Sequence, residues 1–289
     1  MDKFLGPLLI APTVVLLGAL LGFPLVEAFI LSFHNVNPMT LRSSYVGWSN
    51  YASAASDTAF WQALLNNFIW LGGSLVLQIV GGVGFALLLH RSFFGRGVAR
   101  ALVLVPYLLP VVVAALVWEW MLNPVQGIVN QLFSYIGIAP QDWLGTMPDA
   151  MMTLIFIGSW RAFPFVVTAV LARLQSIPHQ LYEAAEMDGA SAFGKFWDVT
   201  LPELGRVLFV VVLLRAIWDF REFDLIFLMT GGGPVSGTTT LPILIYREAF
   251  SLFRTGRASA IAMIMLAIMA LFIALYFFAL KRVRTEEAM

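Results

Sequence analysis

The sequence predicts an all-α protein that crosses a membrane several times. Of its 289 residues, 60% are hydrophobic and 12% are charged, whereas soluble domains average roughly 45–50% apolar and about 25% charged residues. A soluble domain with so few charges would leave much of its surface apolar. The formal net charge of zero gives no sign of nucleic-acid binding. We therefore expect one polytopic membrane domain over residues 1–289.

The apolar residues fall in runs long enough to cross a bilayer, which takes about 20 residues of helix. The first run is too long for a cleaved signal peptide, so we expect it to be a retained span. Prolines inside the runs are compatible with membrane helices, because neighbouring helices satisfy the freed backbone groups. The six predicted spans cover residues 4–33, 64–89, 98–122, 151–174, 204–229 and 258–280.

Lysine and arginine placement predicts the orientation, because cytoplasmic loops of membrane proteins are enriched in these residues. With both termini in the cytoplasm, ten basic residues are inside and four outside. The inside residues are Lys3, Arg91, Arg96, Arg100, Arg173, Lys195, Arg206, Lys281, Arg282 and Arg284. The outside residues are Arg42, Arg247, Arg254 and Arg257.

A polar, charged segment, residues 176–202, separates spans four and five and faces the cytoplasm in this orientation. Pro178 stands where a helix begins and Gly189 where a helix ends. Between them we expect a short helix with an apolar stripe beside acidic residues. Such a helix either rests on a partner outside the bilayer or forms a solvated surface helix.

The same segment carries a motif at defined spacing. It reads Glu183-Ala184-Ala185, three residues, Gly189, nine residues, Val199, one residue and Leu201-Pro202. This pattern resembles the EAA loop of permease subunits of ABC importers, which has isoleucine at the position of Val199. Residues 218–234 are similar to the fifth-span signature of the carbohydrate-uptake branch, specifically its maltose-permease-F-like subunit. Residues 160–165 resemble that branch as well, so the matches together cover residues 160–240.

The resemblance implies a type I ABC importer, in which the EAA loop forms a coupling helix that sits in a groove of a cytoplasmic ATPase. It implies four kinds of partner besides membrane lipid: a second homologous permease, two ATPase subunits that bind ATP and magnesium, an extracytoplasmic solute-binding protein and a carbohydrate-like solute. The chain itself would be neither an enzyme nor a cofactor protein, and it would lie in the cell membrane of a bacterium or archaeon. The coupling residues implied are Glu183, Ala184, Ala185, Asp188, Gly189, Leu201 and Pro202.

Span five holds several charged residues, which are functional candidates inside a membrane. Arg215, Trp218, Asp219 and Glu222 recur at the spacing of one continuous helical face. An aromatic ring beside hydrogen-bonding groups suits a sugar, whose C–H faces contact aromatic rings and whose hydroxyls need polar partners. In span four, the resemblance adds the two positions Arg161 and Phe165 to this pathway.

The charges on this face allow two interpretations. The arginines are able to bind an acidic or phosphorylated solute, or they neutralise Asp219 and Glu222 across a helix interface. Arg221 and Asp224 point elsewhere on the same helix and are expected to make polar contacts that fix the fold.

Other chemistry is excluded by the sequence. With no cysteine, disulfides, thiolate metal sites and cysteine nucleophiles are absent. The three histidines are scattered and show no metal-ligand spacing, and the glycine-rich stretch 231–234 lacks the lysine of a phosphate-binding loop. An ion-gradient-driven transporter and a membrane receptor are the rival functions, and glycerol-phosphate, acidic sugars and neutral oligosaccharides all stay open as solutes.

Overall fold

The computed structural model describes residues 2–36, 40 and 42–286, with side chains from residue 9 to residue 279 of these ranges. The chain forms two compact units: one comprises Met1–Leu64 and Leu241–Met289, and the other is Leu65–Thr240. Four basic residues used above to predict the orientation, Lys3, Lys281, Arg282 and Arg284, lie outside the described side chains.

The first unit is built from the two ends of the chain, and its longest helix is the last one. Two short antiparallel strands pair His34 with Tyr45. The elements are α1 (Asp2–Leu17), a π-helical turn (Gly18–Gly22), α2 (Phe23–Leu31), β1 (His34–Val36), β2 (Ser43–Tyr45), α3 (Ser49–Ala55), α13 (Leu241–Tyr246), a second π-helical turn (Arg247–Ser251) and α14 (Thr255–Glu286).

Close packing fixes the start of α14 in this unit. A Cβ atom at Gly256 would lie 1.9 Å from the main-chain oxygen of His34, so only glycine fits against β1. The next residue, Arg257, pairs with Asp57 and lies 3.5 Å (Nε to Oε1) from Glu248. Glu248 is almost fully buried, with 3% exposure, and a buried carboxylate needs a cation beside it.

The regular secondary structure among the described residues of the second unit is helical, and this unit contains both regions that the sequence singles out. Its elements are α4 (Thr58–His90, from Leu65 onward), α5 (Arg96–Leu108), α6 (Val111–Met121), α7 (Ile128–Ser134), α8 (Asp149–Leu174), α9 (His179–Met187), α10 (Ala192–Lys195), a π-helical turn (Phe196–Thr200), α11 (Leu201–Phe220) and α12 (Asp224–Thr230).

A hydrophobic cluster of α4, α8 and α11 forms the core of this unit. Glycine permits the closest helix contact: a Cβ atom at Gly82 of α4 would lie 2.5 Å from the Cβ atom of Val166 on α8. The buried members of the cluster are Ala86, Leu89, Val166, Val167, Val170, Leu171, Leu174, Ile177, Leu204 and Val211.

The third predicted span, residues 98–122, is a bent pair of helices. The axes of α5 and α6 differ by 96°. Leu109 has an extended backbone (φ −70°, ψ 132°) and Pro110 follows it. A residue before proline is disfavoured in the helical region, which explains the break.

Membrane-spanning length and hydropathy are met by four of the described helical segments, and by five if the bent pair is one span. The four are Leu9–Leu31, Thr58–His90, Asp149–Leu174 and Thr255–Ala279. The all-α membrane fold is thus confirmed, but the predicted total of six is not reproduced. Predicted span five fails because α11 ends at Phe220 and carries four charged residues within 20 positions.

Candidate functional site

Helix α9 occupies the segment where the sequence predicts a short helix. Pro178 precedes it with an extended backbone, and Gly189 follows it with φ +80°. The amide of Asp188 donates to the oxygen of Ala184 (3.1 Å), and the amide of Ala190 donates to the oxygen of Ala185 (2.9 Å). These bonds satisfy carbonyls that would otherwise be left open at the helix end, and the left-handed glycine permits them.

Most of the motif residues on α9 are exposed. The exposed residues are Glu183, Ala184, Asp188 and Gly189, whereas Ala185 is half-buried. Glu183 lies within hydrogen-bonding distance of His179 (Oε1 to Nδ1, 3.0 Å). In the second part of the motif, Leu201 is half-buried and Pro202 is exposed at the first turn of α11. The structure therefore places both parts of the motif where a partner has access to them.

Lys195 holds α9 and α10 together. Its Nζ atom donates to Oε1 of Glu186 at 2.6 Å, and this bond lowers the pKa of Glu186 below its ordinary value. Helix α10 begins at Ser191, whose hydroxyl accepts from the amide of Gly194 (3.2 Å). The short helices therefore have defined local geometry.

The segment exposes large apolar side chains that the motif does not include. Met187 is 89% exposed, Phe193 73% and Trp197 50%. Exposed apolar groups that cluster among charged residues mark interaction surfaces. The prediction does not include Phe193 and Trp197, although the aromatic residues of this segment are visible in the sequence.

At the other end of α11 the predicted continuous face is wrong in one respect. Arg215, Trp218 and Asp219 lie on α11, but the helix ends at Phe220 and Glu222 lies in the break. Two side chains of α4 meet the carbonyls at this end: Trp70 donates to the oxygen of Asp219 (2.9 Å) and Asn67 to the oxygen of Phe220 (3.1 Å). Glu222 instead accepts from the amide of Leu225 (3.1 Å) at the start of α12.

Arg215 and Asp219 form a buried ion pair, with side-chain exposures of 7% and 3%. The Nε atom of Arg215 also donates to Oε1 of Gln78 on α4 at 2.7 Å. Buried ions are tolerated when paired and hydrogen-bonded. This geometry favours the ion-pair interpretation for these two residues. Gln78 was missed, although polar residues inside a predicted span are a recognised signal.

A cavity of about 400 Å³ opens beside this pair and is lined by residues from the end of α11 through the start of α12. Arg161 of α8 lies 3.5 Å (Nη2 to Oε2) from Glu222, and both are partly exposed. The lining residues are Trp218, Arg221, Glu222, Phe223 and Asp224. Arg221 and Asp224 are exposed, which corrects the expectation that they are contacts that fix the fold.

Aromatic rings set the position of Trp218. The ring of Phe165 on α8 meets it edge-on, with centroids 5.2 Å apart, and the guanidinium of Arg215 lies 5.5 Å from its centroid. Trp218 itself is half-buried and reaches the cavity. Phe165 therefore supports the cavity wall from behind, whereas Trp218 and Glu222 form its surface.

Known proteins resemble the chain over most of its length. It matches the sequence profile of the binding-protein-dependent transport system inner membrane component over residues 78–285. It is 36% identical over 272 residues to the trehalose/maltose transport system permease protein MalF of Thermococcus litoralis, covering 94% of this chain and 92% of that protein. It is 31% identical over 291 residues to the sulfoquinovosyl glycerol transport system permease protein SmoG of Agrobacterium fabrum, covering 99% and 92%.

The fold has a solved counterpart. A chain of a bacterial ABC transporter involved in the import of the acidic polysaccharide alginate matches with a TM-score of 0.84 at 23% identity, covering 98% of this chain and 96% of that one. The predicted resemblance to ABC importer permeases is confirmed and is favoured over an ion-gradient-driven transporter. The protein is a multi-pass component of the inner membrane, and it belongs to the family of binding-protein-dependent transport system inner membrane components.

Proposed function

We propose that the chain is one of two permease subunits of an ATP-driven importer, forms half of the pathway for a sugar or sugar-like solute, and is driven through α9. The observation that carries this proposal is the exposed helix α9, which presents the Glu183–Gly189 motif together with exposed apolar groups. A short helix with small residues and an exposed motif suits insertion into a partner's groove. ATP and magnesium would be bound by the partner ATPase.

The cavity beside Trp218 supports a sugar as the solute. It combines an aromatic face with carboxylate and guanidinium groups, which suit the C–H faces and hydroxyls of a saccharide. The names of two relatives refer to trehalose or maltose and to sulfoquinovosyl glycerol, which supports a sugar-like solute here. Glycerol-phosphate and acidic sugars are the alternative solutes, and comparing transport of a set of candidate solutes distinguishes them.

The proposed complex contains this chain, a second homologous permease, two ATPase subunits and an extracytoplasmic solute-binding protein. Both termini lie in the cytoplasm, as the distribution of basic residues favours. Under this orientation α9 faces the ATPases.

Capture of the ATPase subunit tests the coupling role directly. We expect Glu183→Lys to abolish both ATPase capture and solute uptake, because it replaces the carboxylate that is proposed to accept hydrogen bonds from the ATPase with a cation. The amount of chain inserted in the membrane should stay unchanged, since Glu183 is exposed. Co-purification, uptake into vesicles and immunoblotting of membranes measure the three quantities.

Asp142→Lys is a matched control, because Asp142 is also an exposed acid but lies in the loop before α8. It should leave capture and uptake at the wild-type level. Normal uptake by Glu183→Lys would contradict the coupling role.

The chemical class of the solute is tested with the reconstituted complex. Its ATPase activity is measured with neutral, acidic and phosphorylated sugars, and the class that stimulates hydrolysis is the class of the solute.

A further inference from the structure

A single arginine joins the two ends of the segment that carries α9. Arg173 lies in the last turn of α8 and Glu203 in the first turn of α11, 30 residues apart in the chain. The Nε atom of Arg173 donates to the main-chain oxygen of Glu203 (2.9 Å), and its Nη2 atom pairs with the Glu203 carboxylate. Its Nη1 atom donates to the hydroxyl of Ser176 (3.2 Å). We call this set of bonds the clasp.

The clasp depends on the planar guanidinium of arginine, which lysine lacks. A planar guanidinium donates in several fixed directions at once, so it holds the direction of α11 relative to α8 as well as their separation. An arginine near a helix C-terminus and a glutamate near a helix N-terminus also interact favourably with the dipoles of the two helices.

A second bond ties α9 to the same place. The hydroxyl of Tyr182 lies 3.1 Å from Oγ1 of Thr200, one residue before α11. The Tyr182 ring packs against the hydrophobic cluster that contains Leu174 and Leu204. Movement of α9 therefore acts on the ends of both helices at the clasp.

Both clasped helices lead to the cavity: Trp218 of α11 lines it, and Arg161 of α8 lies 3.5 Å from the lining residue Glu222. Arg161 lies 12 residues before Arg173 on α8, and Arg215 lies 12 residues after Glu203 on α11. At 1.5 Å per residue each is about 18 Å along its helix from the clasp. A displacement of the clasped ends is therefore carried along both helices toward the cavity.

We infer that Arg173 is a positioning residue that makes α8 and α11 move together with α9, so that ATPase-driven motion reaches the solute cavity along both helices. The inference rests on the proposed docking of α9 to an ATPase. The clasp side chains are about one-third exposed (31% and 33%), and ion pairs this exposed add little to folding stability. We therefore assign the clasp a role in transmitting motion from α9 to α8 and α11.

The test measures solute uptake and ATP hydrolysis in parallel, in vesicles that contain the complete complex. We expect Arg173→Gln to retain ATPase capture and hydrolysis, while solute moved per ATP falls about tenfold, within the range for residues that couple distant sites. Arg173→Lys keeps the charge but loses the planar guanidinium. Its solute moved per ATP should therefore lie between the values of the wild type and of Arg173→Gln. Arg206→Gln, an exposed arginine three residues after Glu203, is the control and should keep the wild-type ratio.

The outcomes separate the inference from the function on which it rests. A wild-type chain that captures no ATPase removes the proposed function and the inference together. Normal capture with an unchanged ratio in Arg173→Gln overturns the inference alone, and so does loss of capture in that variant, because Arg173 would then shape the docking surface. If Arg173→Gln fails to insert into the membrane, Glu203→Gln is the variant to measure, since it removes only the carboxylate that pairs with Arg173. A lower amount of solute moved per ATP supports the clasp. An unchanged amount overturns it.

Discussion

Arg215 illustrates how an ionised side chain is kept inside a membrane protein. Its guanidinium pairs with Asp219 and donates to Gln78, and its flat face lies near the ring of Trp218. Removing one partner of such a pair leaves the other charge buried, which costs about 3–5 kcal/mol. The pair is therefore required by the fold, whereas the half-buried Trp218 beside it reaches the cavity.

This contrast predicts different defects for neighbouring residues. Trp218→Ala should lower solute uptake several-fold, with a smaller loss of melting temperature than a variant that strands a buried charge, because it removes an aromatic contact surface that is worth roughly 0.5–1.5 kcal/mol. Arg215→Gln should instead lower the melting temperature, because Asp219 loses its cation. Uptake assays and thermal unfolding of the purified chain in detergent measure the two effects.

Two further variants sharpen the comparison. Trp120→Ala changes an exposed tryptophan on α6 and should affect neither measurement. The double variant Arg215→Gln/Asp219→Asn should recover much of the lost stability, because no buried charge remains. Wild-type uptake by Trp218→Ala would show that this ring does not line the pathway.

At this scale the sequence predicts pairs that are close along the chain. Arg215 and Asp219 are four residues apart, so a helical pattern alone brings them together. Gln78 is 137 residues from Arg215, and no local pattern specifies that contact. Glu222 was assigned to the wrong element, because Trp70 and Asn67 hold the end of α11 from another helix.

At the scale of elements, the local signals of proline and glycine perform well. Pro178 and Gly189 bound α9 as predicted, and Leu109-Pro110 breaks a predicted span. The end of α11 has no comparable signal, since the sequence contains neither proline nor glycine from Val207 to Thr230. Tertiary hydrogen bonds determine that break.

The contact between α4 and α8 yields a prediction for two glycines on one helix. Gly82→Ala should destabilise the chain by about 1–3 kcal/mol, because the new methyl group overlaps Val166 and forces the helices apart. Gly84→Ala should be neutral or stabilising, because no heavy atom lies within 4 Å of its added Cβ and alanine favours a helix by about 1 kcal/mol.

Thermal unfolding in detergent compares the two variants directly. The gain in helix propensity is the same for both, so the difference between them reports the overlap at Gly82. Equal melting temperatures would contradict the close contact between α4 and α8.

At the scale of the whole molecule, composition alone predicted the all-α membrane fold, and the motif spacing predicted the family. The orientation rests on charge placement, and the proposed solute class rests on the cavity between the end of α11 and the start of α12. A pathway shared between two permeases takes half of its surface from another chain. For that reason one sequence restricts the solute to a chemical class and does not specify it further.

The absence of native cysteine makes the orientation measurable without background. A membrane-impermeant maleimide should label Ala139→Cys on intact cells, because the loop after α7 is expected outside. Ala192→Cys should be labelled only after the membrane is opened, because α10 is expected in the cytoplasm.

Both sites are exposed alanines, so differences in labelling report the side of the membrane. The opposite labelling pattern would invert the orientation and remove α9 from the reach of a cytoplasmic ATPase.

The π-helical turn Phe196–Thr200 has a consequence for rotation. The amide of Leu201 bonds to the oxygen of Phe196, five residues back, so the turn holds one residue more than an α-helical turn. Each residue of an α-helix advances by roughly 100° around the axis. The extra residue therefore sets the azimuth of α11, turning Arg215 and Trp218 by that angle relative to an uninterrupted helix. Deleting one residue from the turn would point a different side of α11 at the cavity while leaving the sequence of α9, His179–Met187, unaltered.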